Sequence, residues 1–112
     1  HPDYNCPTEK GFIPDAGAIH AFIHASAGRY PDRIIGKPNG DIVDYLLERT
    51  GAGREKTVMV GDRLYTDIAA GAHNGLKTVL VLSGEATLED VERSEVKPDL
   101  IFDSVKEMGE FC

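Results

Sequence analysis

Val58-Met59-Val60-Gly61-Asp62-Arg63-Leu64-Tyr65-Thr66-Asp67-Ile68 decides the fold. Three apolar residues run into a glycine and an acid, then into a polar turn and a second acid. Ile68-Ala69-Ala70-Gly71-Ala72-His73 follows and reads as a helix. A short apolar run, a loop and a helix in that order predict one strand–loop–helix unit of an α/β sheet. Ligands of such sheets gather at the carboxyl ends of the strands, which is where Asp62 would stand. Gly61 would let the backbone come close to whatever binds there. Asp67 would fall in the first turn of the helix, with Thr66 as its N-cap. An acid so placed is often no more than a favourable charge near the helix dipole. Asp62 is harder to explain that way, because a carboxylate behind three buried residues is costly unless it is paired or holds a metal. Two carboxylates at one strand tip suit a hard cation such as Mg²⁺, which keeps several waters and takes few protein oxygens.

Working outward, His1 to Pro14 is rich in Pro, Gly and polar residues and reads as a long connecting loop. Asp15 is the expected N-cap of a helix from Ala16 to about Ala27, with Ile19, Phe22 and Ile23 at helical spacing and Gly28 as its stop. His20 and His24 lie four apart, but Ala21 stands where a zinc-protease helix needs Glu, so both read as surface or helix-contact residues. Arg33-Ile34-Ile35-Gly36 reads as a short strand, and Pro38 keeps Lys37 extended or in a turn. The next helix, from Asp41 to Arg49, would bury a wide stripe of Ile42, Val43, Tyr45, Leu46 and Leu47. Thr50-Gly51-Ala52-Gly53 stops it; this run follows a helix and lacks a third Gly, so it is no nucleotide loop. Lys77 to Leu82 is the strongest strand, apolar enough to be central in a parallel sheet. Thr87 caps a short acidic helix reaching Ser94, Leu100-Ile101-Phe102 is a last strand, and Asp103-Ser104 opens a closing helix. The alternation predicts an α/β fold, a three-layer Rossmann-like parallel sheet with right-handed crossovers.

Composition narrows the function. The 112 residues carry a formal charge of -7, and the stretch from Glu85 to Cys112 holds nine acids against three bases. Such a surface disfavours nucleic-acid phosphates. No apolar run is long enough for a membrane span. Cys6 and Cys112 sit near opposite ends without the spacing of a disulfide framework or zinc site, which suits free thiols in a reducing cytoplasm.

Three strand tips thus carry polar groups: Lys37 after the first strand, Asp62 after the second, Ser83-Gly84-Glu85 after the third. A lysine and acids converging above a sheet suit phosphoryl chemistry, with the acids holding Mg²⁺ and both cations neutralising the transferring group. Gly36-Lys37-Pro38-Asn39, followed by Val60-Gly61-Asp62-Arg63-Leu64-Tyr65-Thr66-Asp67-Ile68, resembles the third and fourth motifs of the haloacid dehalogenase (HAD) superfamily. The subgroup it resembles is that of the nitrophenylphosphatases, phosphoglycolate phosphatases and nucleotide monophosphatases with a large α/β cap. His1-Pro2-Asp3, Cys6-Pro7-Thr8 and Gly11 to Gly17 are similar to that subgroup's return from cap to core, and Val79 to Gly84 and Lys97-Pro98-Asp99 also fit.

The resemblance implies a Mg²⁺-dependent phosphomonoester hydrolase in which one Asp attacks phosphorus and another acts as acid and base. It implies that Lys37 steadies the nucleophile and phosphoryl oxygens, Asp62 ligates Mg²⁺, and Asp67 orients the site through a metal-bound water. Asn39 and Asp3 are implied as further substrate or phosphate contacts. Residues 1–14 would be the end of the cap and its connector, and 15–112 the second half of the core. No Asp-x-Asp occurs in the chain, so the nucleophile would lie upstream of His1 and this chain alone would not turn over. The expected partners are a small phosphorylated metabolite, the missing N-terminal half of the same enzyme and a homodimer mate, with neither nucleic acid nor membrane. Without that half, a sheet edge and an apolar face would be exposed. A non-catalytic α/β domain binding Mg²⁺ or a phospho-ligand is the alternative, and a receiver-type signalling domain ranks below both.

Overall fold

The computed structural model describes residues 1–111, so Cys112 lies outside the described residues. Two strands open the chain: β1 (Asn5–Thr8) pairs antiparallel with β2 (Gly11–Pro14), with Asn5 opposite Pro14 and Thr8 opposite Gly11. The segment expected to be a loop is therefore a hairpin. Gly11 at φ 135° supplies a turn conformation that L side chains rarely adopt, and Thr8 Oγ1 closes the turn by donating to the Gly11 carbonyl at 2.9 Å. Cys6, in β1, carries a free thiol.

Helix α1 (Ala16–Ala27) starts and stops where its sequence places the signals. Asp15 Oδ1 accepts the Ala16 N–H at 2.7 Å, and Gly28, left-handed at φ 67°, donates to the His24 carbonyl at 2.8 Å. Residues 33–36, expected to form a strand, pair with no other strand. Strand formation needs a partner ladder as well as apolar residues, and none of the described strands runs beside this segment. It is an extended loop ending at the cis peptide Lys37–Pro38.

Helix α2 (Asp41–Thr50) follows. Of its expected buried stripe only Val43 is fully buried, at 1% exposure, while Ile42, Tyr45 and Leu46 are exposed. The same is true of Ile19, Phe22 and Ile23 on α1. These apolar faces find no cover among the described residues.

The parallel sheet holds β3 (Val58–Gly61), β4 (Lys77–Val81) and β5 (Leu100–Phe102) in the order β3-β4-β5. Val60 lies beside Val79, and Leu80 beside Ile101. β4 is central because Thr78, Val79, Leu80 and Val81 are buried on both faces. β3 is an edge strand of the described sheet, with Val58 and Val60 partly open.

Between β3 and β4 the chain turns through a π-helical segment, Leu64–Ile68, closed by the Ile68 N–H donating to the Arg63 carbonyl at 3.1 Å, and continues as α3 (Ala69–His73). Thr66 thus sits inside the helical turn and is not its N-cap. The wide turn draws Leu64 and Ile68 inward, where they pack with Leu80 and Ala86 and against Leu82, Val91 and Val96. Full burial of side chains such as Ile68 and Leu80 is worth about 1.5–3 kcal/mol each. α4 (Leu88–Arg93) carries a complete capping box between Thr87 and Asp90, and α5 (Val105–Phe111) closes the described chain. None of the described helices is long and apolar enough to cross a membrane.

Candidate functional site

Asp62 follows the last residue of β3, and its position is fixed by the neighbouring strand tip. The Glu85 N–H donates to Asp62 Oδ2, and the Ala86 N–H to the Asp62 carbonyl, both at 3.0 Å. This stitch requires Gly84, where a Cβ would lie 2.5 Å from Asp62 Cγ. Asp62 Oδ1 accepts no hydrogen bond from any described residue, so one oxygen of an anchored carboxylate remains available.

Asp67 is only 5% exposed, and its partners explain how burial of its carboxyl group is tolerated. Lys37 Nζ pairs with Oδ1, and the Arg63 N–H donates to Oδ2 at 3.3 Å. The π turn brings this carboxylate back over Gly61, where a Cβ would lie 2.7 Å from Asp67 Oδ2 and closer still to its Cβ and Cγ. The group that needs Gly61 to be bare is therefore Asp67 itself, rather than a ligand.

Lys37, Asp62 and Asp67 line one cavity of about 270 Å³ together with His1, Asp3, Arg63 and Thr66. Asp3 arrives from the start of the hairpin, held by the Gly17 N–H donating to its carbonyl at 2.7 Å. Asn39 does not line the cavity. Its amide donates to the carbonyls of Ile34 at 2.8 Å and Gly36 at 3.1 Å, so it braces the loop that presents Lys37. The histidines of α1 also lie elsewhere, with His24 stacked on Tyr30 at 3.7 Å.

Arg63 was not legible as a site residue. Its Nε forms an ion pair with Glu85 Oε2 at 2.7 Å, and its guanidinium lies 3.8 Å from Asp3. Burial works to lower its pKa, but Glu85, Tyr65, Asp62 and Asp3 outweigh that and raise it, so the charge is locked in. Glu85 also accepts the Tyr65 hydroxyl at 3.0 Å, and burial together with that bond pushes the phenol up to about 12. The available signal was an arginine directly after the strand-tip acid; alone, such a residue reads as a solvated charge.

The donor set fits Mg²⁺. It is all oxygen, has one free carboxylate atom on an anchored side chain, and opens on a space that holds several waters at about 30 Å³ each. No three of His, Cys, Asp or Glu among the described residues form a ready-made metal cage.

Residues 34–108 match the HAD-hydrolase-like family model. The chain is 43% identical over 99 residues to ribonucleotide monophosphatase NagD of Escherichia coli K12, covering 88% of this chain and 39% of that protein. It is 39% identical over 107 residues to acid sugar phosphatase of Staphylococcus aureus MRSA252, covering 96% and 41%. Among solved structures, 4-nitrophenylphosphatase of Thermotoga maritima superposes with a TM-score of 0.89 at 52% identity, over 98% of this chain and 42% of that one. The p-nitrophenyl phosphatase of Archaeoglobus fulgidus gives 0.86 at 39% identity, over 99% and 44%. The chain thus spans about two fifths of the length of the relatives it matches.

Proposed function

Because the chain belongs to the HAD-hydrolase-like family, whose model covers residues 34–108, we propose that it supplies the lysine and cation-binding groups of a Mg²⁺-dependent phosphomonoester hydrolase. The observation that carries this reading is that the Lys37–Asp67 pair and the anchored Asp62 carboxylate line the same cavity. Kinship with a monophosphatase and a sugar phosphatase supports a small phosphorylated metabolite as substrate.

In this reading Asp62 would hold the ion, and Asp67 would orient the site while keeping Lys37 in place. Mg²⁺, when bound, supplies positive charge to the phosphoryl oxygens. Lys37 offers a second positive charge and stabilises the charge that develops as the phosphorus–oxygen bond breaks. Its ammonium has three donors, so one can stay on Asp67 while another reaches a phosphoryl oxygen. Arg63 stays committed to Glu85 and Asp3 and shapes the wall.

The attacking carboxylate is not among these residues, so we place it in a segment outside this chain, in the first half of the core. Residues 1–14 would then link a cap to that core. The uncovered apolar faces of α1 and α2 support packing of that further segment, or of a second copy, against them.

The test uses the intact protein that carries this chain. It should hydrolyse 4-nitrophenyl phosphate with Mg²⁺, and Asp62→Asn and Lys37→Ala should each lower kcat by about 100-fold or more. The 112-residue chain alone should show no turnover. Turnover by that chain, lost in Asp62→Ala, would overturn the division of labour; an intact protein that binds Mg²⁺ or phosphate without hydrolysing any ester would make this a binding domain.

A further inference from the structure

Beside the Lys37–Asp62–Asp67 cavity lies a second, larger one of about 600 Å³, and Asp3 lines both. Its walls come from three places far apart in sequence, the third being Glu85 after β4. The hairpin segment contributes Pro2, Tyr4, Pro7 and Phe12, and the π turn contributes Tyr65. Three aromatic rings therefore edge this space, and all three are open: Tyr4 at 59% exposure, Phe12 at 73% and Tyr65 at 54%.

The charges along this cavity have one sign. Asp3 and Glu85 line it, and neither lysine nor arginine does. Arg63 is turned away into the first cavity, with its Nε held by Glu85 Oε2 at 2.7 Å. Tyr65 donates to the other Glu85 oxygen at 3.0 Å, which fixes the carboxylate at the border of the two spaces. The first cavity offers cations to a phosphate; the second offers rings and carboxylates to whatever the phosphate is attached to.

We propose that this second cavity receives the alcohol half of the phosphomonoester and selects uncharged leaving groups with an apolar face over anionic ones. The proposal rests on the phosphatase reading above. A flat or apolar group would cover Phe12, Tyr4 and Tyr65 and remove their exposed surface from water. A leaving group with a carboxylate or second phosphate would instead meet Glu85 and Asp3, whose cationic partner Arg63 is already engaged with both, and like charges brought together in a cleft are penalised. Glu85 is thus a specificity-determining residue, and Phe12 with Tyr65 forms the platform.

The experiment compares phenyl phosphate with 2-phosphoglycolate on the intact protein with Mg²⁺, with inhibition by inorganic phosphate as a separate readout of the first cavity. The wild type should favour phenyl phosphate by about tenfold or more in kcat/KM. Glu85→Gln keeps the shape and removes the charge, and should narrow that ratio about fivefold, chiefly by lowering KM for 2-phosphoglycolate. Phe12→Ala, outside the first cavity, should cut kcat/KM for phenyl phosphate by about fivefold while leaving the inhibition constant for inorganic phosphate in place. Hydrolysis with a wild-type preference for 2-phosphoglycolate, or with a ratio that neither variant moves, overturns the subsite and leaves the phosphatase reading standing. Absence of both turnover and phosphate inhibition overturns the phosphatase reading, and the subsite with it.

Discussion

Replacing Gly61 by alanine tests the packing that holds Asp67 over the strand tip. Gly61 is not among the glycines with positive φ, so alanine meets no backbone penalty there and the effect is purely steric. The added Cβ would lie 2.7 Å from Asp67 Oδ2, with the Asp67 Cβ and Cγ closer still. Non-bonded carbons settle at about 3.5–4.0 Å, so Asp67 or β3 must shift by an ångström or more. Overpacking of that kind costs about 1–3 kcal/mol. The shift also strains the Arg63 N–H bond to Asp67, a bond to a charged acceptor worth about 1.5–3 kcal/mol when intact. The Lys37 pair adds little to this sum, because the Lys37 side chain is 42% exposed and solvent screens it. A total of about 2–4 kcal/mol is expected. Urea unfolding of Gly61→Ala, Asp67→Gly and the double variant gives the cycle. In the Asp67→Gly background the alanine should cost less than about 1 kcal/mol, since the atoms it collides with are gone. Equal cost in both backgrounds, or a single-variant cost within about 0.5 kcal/mol of zero, would refute the argument that Asp67 is what requires Gly61.

Two titrations follow from the same structure. Asp99, which accepts from Lys77 Nζ and from the Thr78 hydroxyl and N–H, is held down to about 2 from an ordinary 3.8. Because the folded value is the lower one, its stabilising effect is complete above pH 3.8 and fades as pH falls toward 2. The melting-temperature gap between wild type and Asp99→Asn should therefore be constant near neutrality and close in acid; a gap that widens in acid would contradict this. Tyr65, raised from 10 to about 12 by burial and Glu85, runs the other way: its contribution holds below pH 10 and is lost as pH climbs through 12. Ultraviolet titration of Tyr65→Phe should lose a phenol that ionises near 12, and loss of one ionising near 10 would contradict the Tyr65–Glu85 bond.

The centre of the fold was legible because its signals are local. The apolar run of β4, the Asp15 and Thr87 caps and the glycine stops of α1 and α2 each act within a few residues, and each operates in the structure. Residues 33–36 read as a strand for the same local reason and failed because a ladder needs a neighbour, which propensity does not report. The hairpin at 5–14 was missed because its prolines and glycine look like loop punctuation, yet Pro7 and Pro14 are tolerated in a two-stranded ribbon whose strands are both edges. The π turn has no periodic signature, so Thr66 was read as a cap and Gly61 as a ligand contact. Lys37, Asp62 and Asp67 were legible together because each follows a strand tip or a strand-like segment. Glu85 was legible at the third strand tip, but its pairing with Arg63 was not, since only the β3–β4 pairing brings their loops side by side.

The central claim is that Asp62 offers a free oxygen to a divalent ion in the cavity that Lys37 and Asp67 also line. Mn²⁺, a paramagnetic stand-in for Mg²⁺, tests it directly through broadening of backbone amide signals. At substoichiometric Mn²⁺ the amides around Asp62 and Asp67 and that of Lys37 should broaden first, recover on addition of excess Mg²⁺, and stay sharp in Asp62→Asn. Broadening centred on the acidic stretch from Glu89 to Glu110, or broadening at the strand tip that persists in Asp62→Asn, would contradict the account.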